Sequence, residues 1–386
     1  MALVTEEILI DMVKKKLTKT VSIIIATIVG AGIGFFGATM GIDAAKTVPA
    51  SQIIVLALLF IPAFFLVVAI HEAGHAVAGS MVNFDFRMYV VGPFMWDKEE
   101  SGWKFKWNKN LNLSGGLVIC LPTNTEKLAG RFSIYALGGP AASLAFAAFA
   151  YGSTSLIGII NSNDHFVLTL VGSLFSLVGF LSIVIFIGTI LPMHTGGFYT
   201  DGARALRFLR GGDTSRFETL LMKLITSSTG GIRPRLLDRT EIQEALVLAR
   251  KLNSLMEVYV YYFFYQSSFD EGNFDEAETY LKEYLAHMEN IPKGMRGSVF
   301  ADAAFFYAFA RKDLSQAEFY WKQFVPSAII PKAQVFATEA VILNLQKDEA
   351  ASTMKIDMAL KEIPNMMDRG VGISLREKLM EIKSGT

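Results

Sequence analysis

The chain has 386 residues, 36 basic against 36 acidic side chains, 52% apolar residues and only 19% charged ones. That length allows two or three domains, the even balance gives no basic field for nucleic acid, and the apolar excess points to a membrane protein with a sizeable soluble part. The single Cys120 excludes an internal disulfide framework and a cysteine-based zinc site, and reads as a small buried apolar residue.

The N-terminal tail carries Lys14, Lys15, Lys16 and Lys19, and residues 20–42 hold no charged side chain. That run is longer than the apolar part of a signal peptide and more spans follow, so it reads as an uncleaved helix. Asp43 and Lys46 mark a short loop before a second span over 52–78, which contains Pro62. Residues 81–121 change character. Phe84-Asp85-Phe86-Arg87-Met88-Tyr89 and Trp103-Lys104-Phe105-Lys106-Trp107 alternate with period two, and Leu111 to Leu121 is a third strand candidate, broken by Gly115-Gly116. Interleaved Trp, Phe and Lys suit a hairpin at a membrane surface, with rings among headgroups and ammonium groups in water. A third span is expected over 132–160, with Gly138-Gly139-Pro140 early in it, and a fourth over 166–191, ended by Pro192.

Beyond about 205 the pattern is soluble and helical. Three polar turns resemble one another: Gly272-Asn273-Phe274-Asp275-Glu276-Ala277, Arg311-Lys312-Asp313-Leu314-Ser315-Gln316-Ala317, and Gln346-Lys347-Asp348-Glu349-Ala350. Aligned on Ala277, Ala317 and Ala350 they are weakly similar to tetratricopeptide helix pairs, and a plain helical bundle fits them nearly as well. The expected fold is therefore a polytopic α-helical membrane protein of about four transmembrane helices with a small membrane-surface sheet, plus a C-terminal all-α domain. The boundary is placed so that 1–205 is the membrane core and 206–386 the soluble domain. Short-loop basic residues cluster in the N-terminal tail, in 81–131 (Arg87, Lys98, Lys104, Lys106, Lys109, Lys127, Arg131) and after the last span (Arg204, Arg207, Arg210), which places both termini in the cytoplasm. The expected location is an integral, multi-pass one in a cell membrane, taken as bacterial.

The chemistry concentrates at Val68-Ala69-Ile70-His71-Glu72-Ala73-Gly74-His75. On a helix His71 and His75 share one face and can reach one metal ion, and Glu72 beside them is a candidate general base. No Asp, Glu, Lys or Arg occurs from 47 to 70, so this ionisable cluster sits in or at the edge of a span, where it is costly unless paired or metal-bound. Two histidines need a third protein ligand. Asp201 is the candidate, followed by Gly202 where backbone must approach closely; its alternative role is to cap the helix that follows. His194 is the rival ligand. His165 and His287 read as structural or solvated.

His71-Glu72-Ala73-Gly74-His75, Gly138-Gly139-Pro140, and Leu191-Pro192 followed by Asp201-Gly202 occur in the order found in the site-2 protease family of intramembrane zinc metalloproteases. About a third of the chain, 65–205, resembles that family. The resemblance implies zinc held by His71, His75 and Asp201, Glu72 as catalytic base, and hydrolysis of a peptide bond in a membrane-spanning protein or peptide precursor. Thr189 stands where the family usually has Asn, Ser143 where an Asn often follows the Gly-Pro pair, and the gap from Pro192 to Asp201 is longer than the family's. The partners to expect are such a substrate, the bilayer and a protein bound by the helical domain. The rival is a zinc-binding membrane scaffold without enzymatic activity; a transporter is a third, weaker reading.

Overall fold

Three apolar runs fold as long helices, α1 (Ala50–Met81), α2 (Leu128–Ile160) and α3 (Phe166–Ile190). Each is long and apolar enough to cross a membrane, and only 17%, 17% and 28% of their most apolar stretches are buried, so most of those side chains face outward. Helices suit such sequence because each satisfies its own peptide groups internally. The computed structural model describes residues 31, 34, 37, 39, 49–108, 115–161, 165–195, 198–327 and 329–384. The expected span at 20–42 lies outside them, apart from those first four positions.

By contacts the chain forms two units, one of residues 1–67 and 144–185, the other of 68–143 and 186–386. Contacts thus group 186–386 with the motif segment and the sheet. In the first unit, Ala63, Val67, Ala150, Val178 and Leu181 pack together, and Thr154 and Ser176 share a hydrogen bond.

In the second unit, β1 (Phe84–Val91), β2 (Phe94–Glu99), β3 (Gly102–Trp107) and β4 (Leu117–Pro122) form an antiparallel sheet in the order β3-β2-β1-β4. Period two separates its faces. Met88, Val90 and Met95 are buried together with Met367 against them, while the rings of Phe94, Trp96, Phe105 and Trp107 pack on one another in tilted and edge-to-face pairs and stay partly exposed. The expected strands at 84–89 and 103–107 are present; of the third, Leu117–Pro122 is a strand that follows Gly116, whose φ of +103° suits glycine alone, and its expected start at 111–114 lies outside the described residues. Strand β2 is an addition; its Asp97, Lys98 and Glu99 obscure the alternation.

The remaining chain is helical: α4 (Asp201–Leu209), α5 (Gly212–Thr229), α6 (Arg239–Lys251), α7 (Glu257–Glu271), α8 (Phe274–Ala286), α9 (Gly297–Phe309), α10 (Leu314–Trp321), α11 (Lys332–Leu345), α12 (Glu349–Glu362) and α13 (Arg369–Ser384). Pairs α7–α8, α9–α10 and α11–α12 are hairpins around a core that includes Tyr265, Phe306, Leu281 and Ile356. The three polar turns are their bends. Gly272, Lys312 and Lys347 have positive φ, and then Asn273, Asp313 and Asp348 cap the second helix by accepting from Glu276 N, Gln316 N and Ala351 N. Such caps contribute about 1 kcal/mol each. Counting from the caps, the positions equivalent to Ala277 and Ala317 belong to Ser352, which is buried, and not to Ala350, which is exposed.

Candidate metal centre

The spacing of His71 and His75 on α1 puts both imidazoles on one face, with ring centroids 5.0 Å apart and planes at 85°. Helix α4 supplies the third group. Asp201 Oδ2 lies 3.2 Å from His71 Nε2 and 3.3 Å from His75 Nε2, and all three candidate ligand atoms fall within 4.8 Å of one another. His71 and His75 are buried and Asp201 largely so.

The outer nitrogen of His75 fixes its tautomer, and that of His71 is compatible with the same one. His75 Nδ1 is 2.9 Å from the Tyr135 carbonyl, which can only accept, so Nδ1 carries the proton. The Gly139 amide, 3.3 Å from the same nitrogen, is the weaker contact. His71 Nδ1 is 2.9 Å from Ser143 Oγ, a hydroxyl that can accept from it in the same sense. In that tautomer each ring would turn an Nε2 lone pair toward a carboxylate oxygen. Three acceptors facing one another repel unless a cation lies among them, and a donor set of two imidazoles and a carboxylate fits zinc.

Backbone contact makes this convergence possible. A Cβ on Gly74 would sit 2.3 Å from Gly138 O, and one on Gly138 2.5 Å from Gly74 O, so α1 and α2 touch at glycine. A Cβ on Gly139 would lie 2.3 Å from His75 Nε2 and 2.7 Å from His71 Nε2. Both glycines before Pro140 are thereby explained, the first by helix contact and the second by room for the imidazoles.

Asp201 departs from the expected alternative. The helix cap is Thr200, whose Oγ1 accepts from Ala203 N and donates to Leu191 O at 2.5 Å. The helix starts one residue earlier than the Gly202 start expected from sequence, which leaves the Asp201 carboxylate free to turn inward. The close approach expected at Gly202 is present, since a Cβ there would meet Ile190 O at 1.8 Å.

Glu72 is buried next to His71, and its carboxylate makes no hydrogen bond to another described residue. A Cβ on Gly116 would lie 2.4 Å from Glu72 Oε1, so the bend before β4 leaves space for that carboxylate. Strand β1 is tied to the same helix by Tyr89, whose hydroxyl donates to Ala69 O at 2.5 Å. Burial, with the Glu72 charge adding, pushes that hydroxyl up to about 12.

No protein-family model, curated protein or solved structure matches the chain. The chemistry is therefore read from its own residues. His71, His75 and Asp201 come together with Glu72 beside them, and the His194 side chain lies outside the described residues. His287 is remote in the helical region, bonded to Glu283 O. Sequence reasoning did not find the backing of His71 by Ser143, that of His75 by Tyr135 O, or the space at Gly116. The Gly138-Gly139-Pro140 motif carried the signal for Gly139, and the rest depends on how α2 is rotated against α1.

Proposed function

We propose that this chain is an intramembrane zinc metalloprotease of the site-2 protease kind, hydrolysing a peptide bond in or near a transmembrane segment of a membrane protein or peptide precursor. The observation that carries the reading is the convergence of His71 Nε2, His75 Nε2 and Asp201 Oδ2 beside a buried Glu72, on helices of membrane-spanning length. Zinc bound by these three side chains would acidify a water and polarise a peptide carbonyl. Glu72 takes the proton of the attacking water and then hands it to the leaving amine nitrogen. Ser143 and the Tyr135 carbonyl hold the imidazoles in the ligating tautomer.

A transmembrane helix hides its carbonyls, so the substrate must unwind before it reaches Glu72. Within 81–121, strand β3 stands at one edge of the sheet, and its backbone is our candidate for strand addition to such a segment. With an expected span at 20–42, four spans place both termini and the sheet on the cytoplasmic side of a bacterial cell membrane.

Glu72→Gln keeps size and removes the base. We expect membranes from cells expressing the wild type to contain new peptide N-termini inside transmembrane segments, and membranes with equal amounts of Glu72→Gln to lack them. Loss of the base is worth about 10²- to 10⁴-fold in rate. Equal cleavage by the two proteins would refute the mechanism. No new termini with either, both still holding zinc, would favour the scaffold reading.

A further inference from the structure

A cavity of about 260 Å³ lies among the C-terminal helices, walled by the rings of Tyr262, Tyr265, Phe269, Tyr284 and Phe305. Asp302 of α9 projects its carboxyl into this apolar lining and is only 8% exposed. Its Oδ1 accepts from Gln334 Nε2 at 2.7 Å. Oδ2 has no hydrogen-bond partner among the described residues, and no described Lys, Arg or His pairs with either oxygen. The cation that does line the cavity, Lys378, lies over the Phe269 ring at 4.5 Å and is bonded to Ser374 Oγ at 2.6 Å and Asp270 at 3.5 Å, not to Asp302.

Burial without a counter-ion pushes the Asp302 carboxyl up to about 8. A buried, half-satisfied carboxylate destabilises a fold, and packing alone would be served better by an apolar residue. The walls suit a positive charge, because aromatic faces attract cations and do so most strongly when water is excluded. Tyr265 is oriented by its bond to the Asp302 backbone carbonyl, 3.3 Å away. The Gln266 side chain, also on the lining and buried, makes no hydrogen bond to another described residue and offers a further acceptor. An aromatic pocket with an unpaired acid and a spare amide is complementary to a group that is positive, partly apolar and rich in N–H donors.

We propose that this cavity binds an organic cation, an alkylammonium or guanidinium group, with Asp302 as its counter-ion and the surrounding rings stacked on its alkyl and charged parts. The group is carried either by a free amine or by a Lys or Arg side chain of a peptide. The site uses no residue of the metal centre, so it stands or falls separately from the proteolytic reading.

The test is calorimetric titration of the full-length protein in detergent with n-pentylamine, with arginine methyl ester, with the blocked peptide acetyl-Gly-Lys-Gly-amide, and with 1-pentanol as the neutral counterpart. Saturable binding of at least one cation at one site per chain is expected, with 1-pentanol weaker by about tenfold or more. Asp302→Asn keeps the bond to Gln334, removes the group that would ionise as the counter-ion, and should lower cation affinity by about tenfold or more without lowering the melting temperature. Tighter binding of n-pentylamine than of the peptide assigns the site to free amines; the reverse assigns it to basic side chains. Absence of saturable cation binding overturns the proposal, as does equal binding of 1-pentanol or undiminished cation binding by Asp302→Asn. Should Asp302→Asn fail to fold, the comparison of amine and alcohol on the wild type decides alone.

Discussion

Gly139→Ala isolates the geometry of the metal centre from its chemistry, because it adds one methyl group and no polar atom. The added Cβ would lie 2.3 Å from His75 Nε2 and 2.7 Å from His71 Nε2, where ordinary carbon contacts are about 3.5 Å. One ring or the helix must therefore give by about 1 Å. The rings have little room to retreat, since His75 is held by Tyr135 O and His71 by Ser143. Moving α2 outward would instead break the glycine contact between Gly74 and Gly138. Metal–ligand distances tolerate about 0.2 Å, so a displacement of this size removes a ligand. We expect zinc affinity to fall by about 100-fold or more, measured by competition with a chromogenic chelator. Helix propensity acts the other way, Ala being better than Gly by about 1 kcal/mol in a helix interior, so thermal stability should be largely kept. Zinc affinity within about threefold of wild type would show that the imidazoles do not converge as described.

Two further outcomes follow from the same contacts. Ser143→Ala removes the partner of His71 Nδ1 and should weaken zinc by about 10- to 100-fold in the same competition assay, with the fold retained. Asp270→Asn in the helical region should destabilise the protein by about 3 kcal/mol at neutral pH by denaturant melting, since Asp270 is buried and bonded to Arg233 at 2.6 and 2.9 Å, with Lys378 nearby. Burial works to raise the Asp270 carboxyl, but the Arg233 bonds, with Ser374, the Arg235 amide and Lys378, hold it well below the usual range. Its stabilisation is thus present above the ordinary carboxylate pKa and fades as pH falls below it. The gap between wild type and Asp270→Asn should narrow on acidification below about 4.

Local patterns were legible in the sequence, and contacts set by helix rotation were not. His71 and His75 needed only the helical repeat, and Asp201 needed only a carboxylate after the last apolar run. The capping role open to Asp201 goes to its neighbour Thr200, an equally good cap by residue type. Ser143 stood out only as a replacement for an Asn, whereas its contact is with the back of His71. Alternation gave β1 and β3, while charged residues on β2 hid its period. In the helical region the turn residues were visible, but the alignment through Ala350 slipped because the cap Asp348, not the alanine, marks the register. The cavity around Asp302 had no sequence signal, since its lining is gathered from residues between Tyr259 and Lys378 on separate helices.

The most direct test of the account is zinc X-ray absorption spectroscopy on the purified full-length protein, with metal content measured on the same sample. The account predicts about one zinc per chain, with two imidazoles and a carboxylate oxygen at about 2.0–2.2 Å. The zinc content should be largely lost in His71→Ala, His75→Ala and Asp201→Ala, and kept in Glu72→Gln. A zinc-free wild type, a sulfur ligand in the spectrum, or full zinc retention in Asp201→Ala would contradict it.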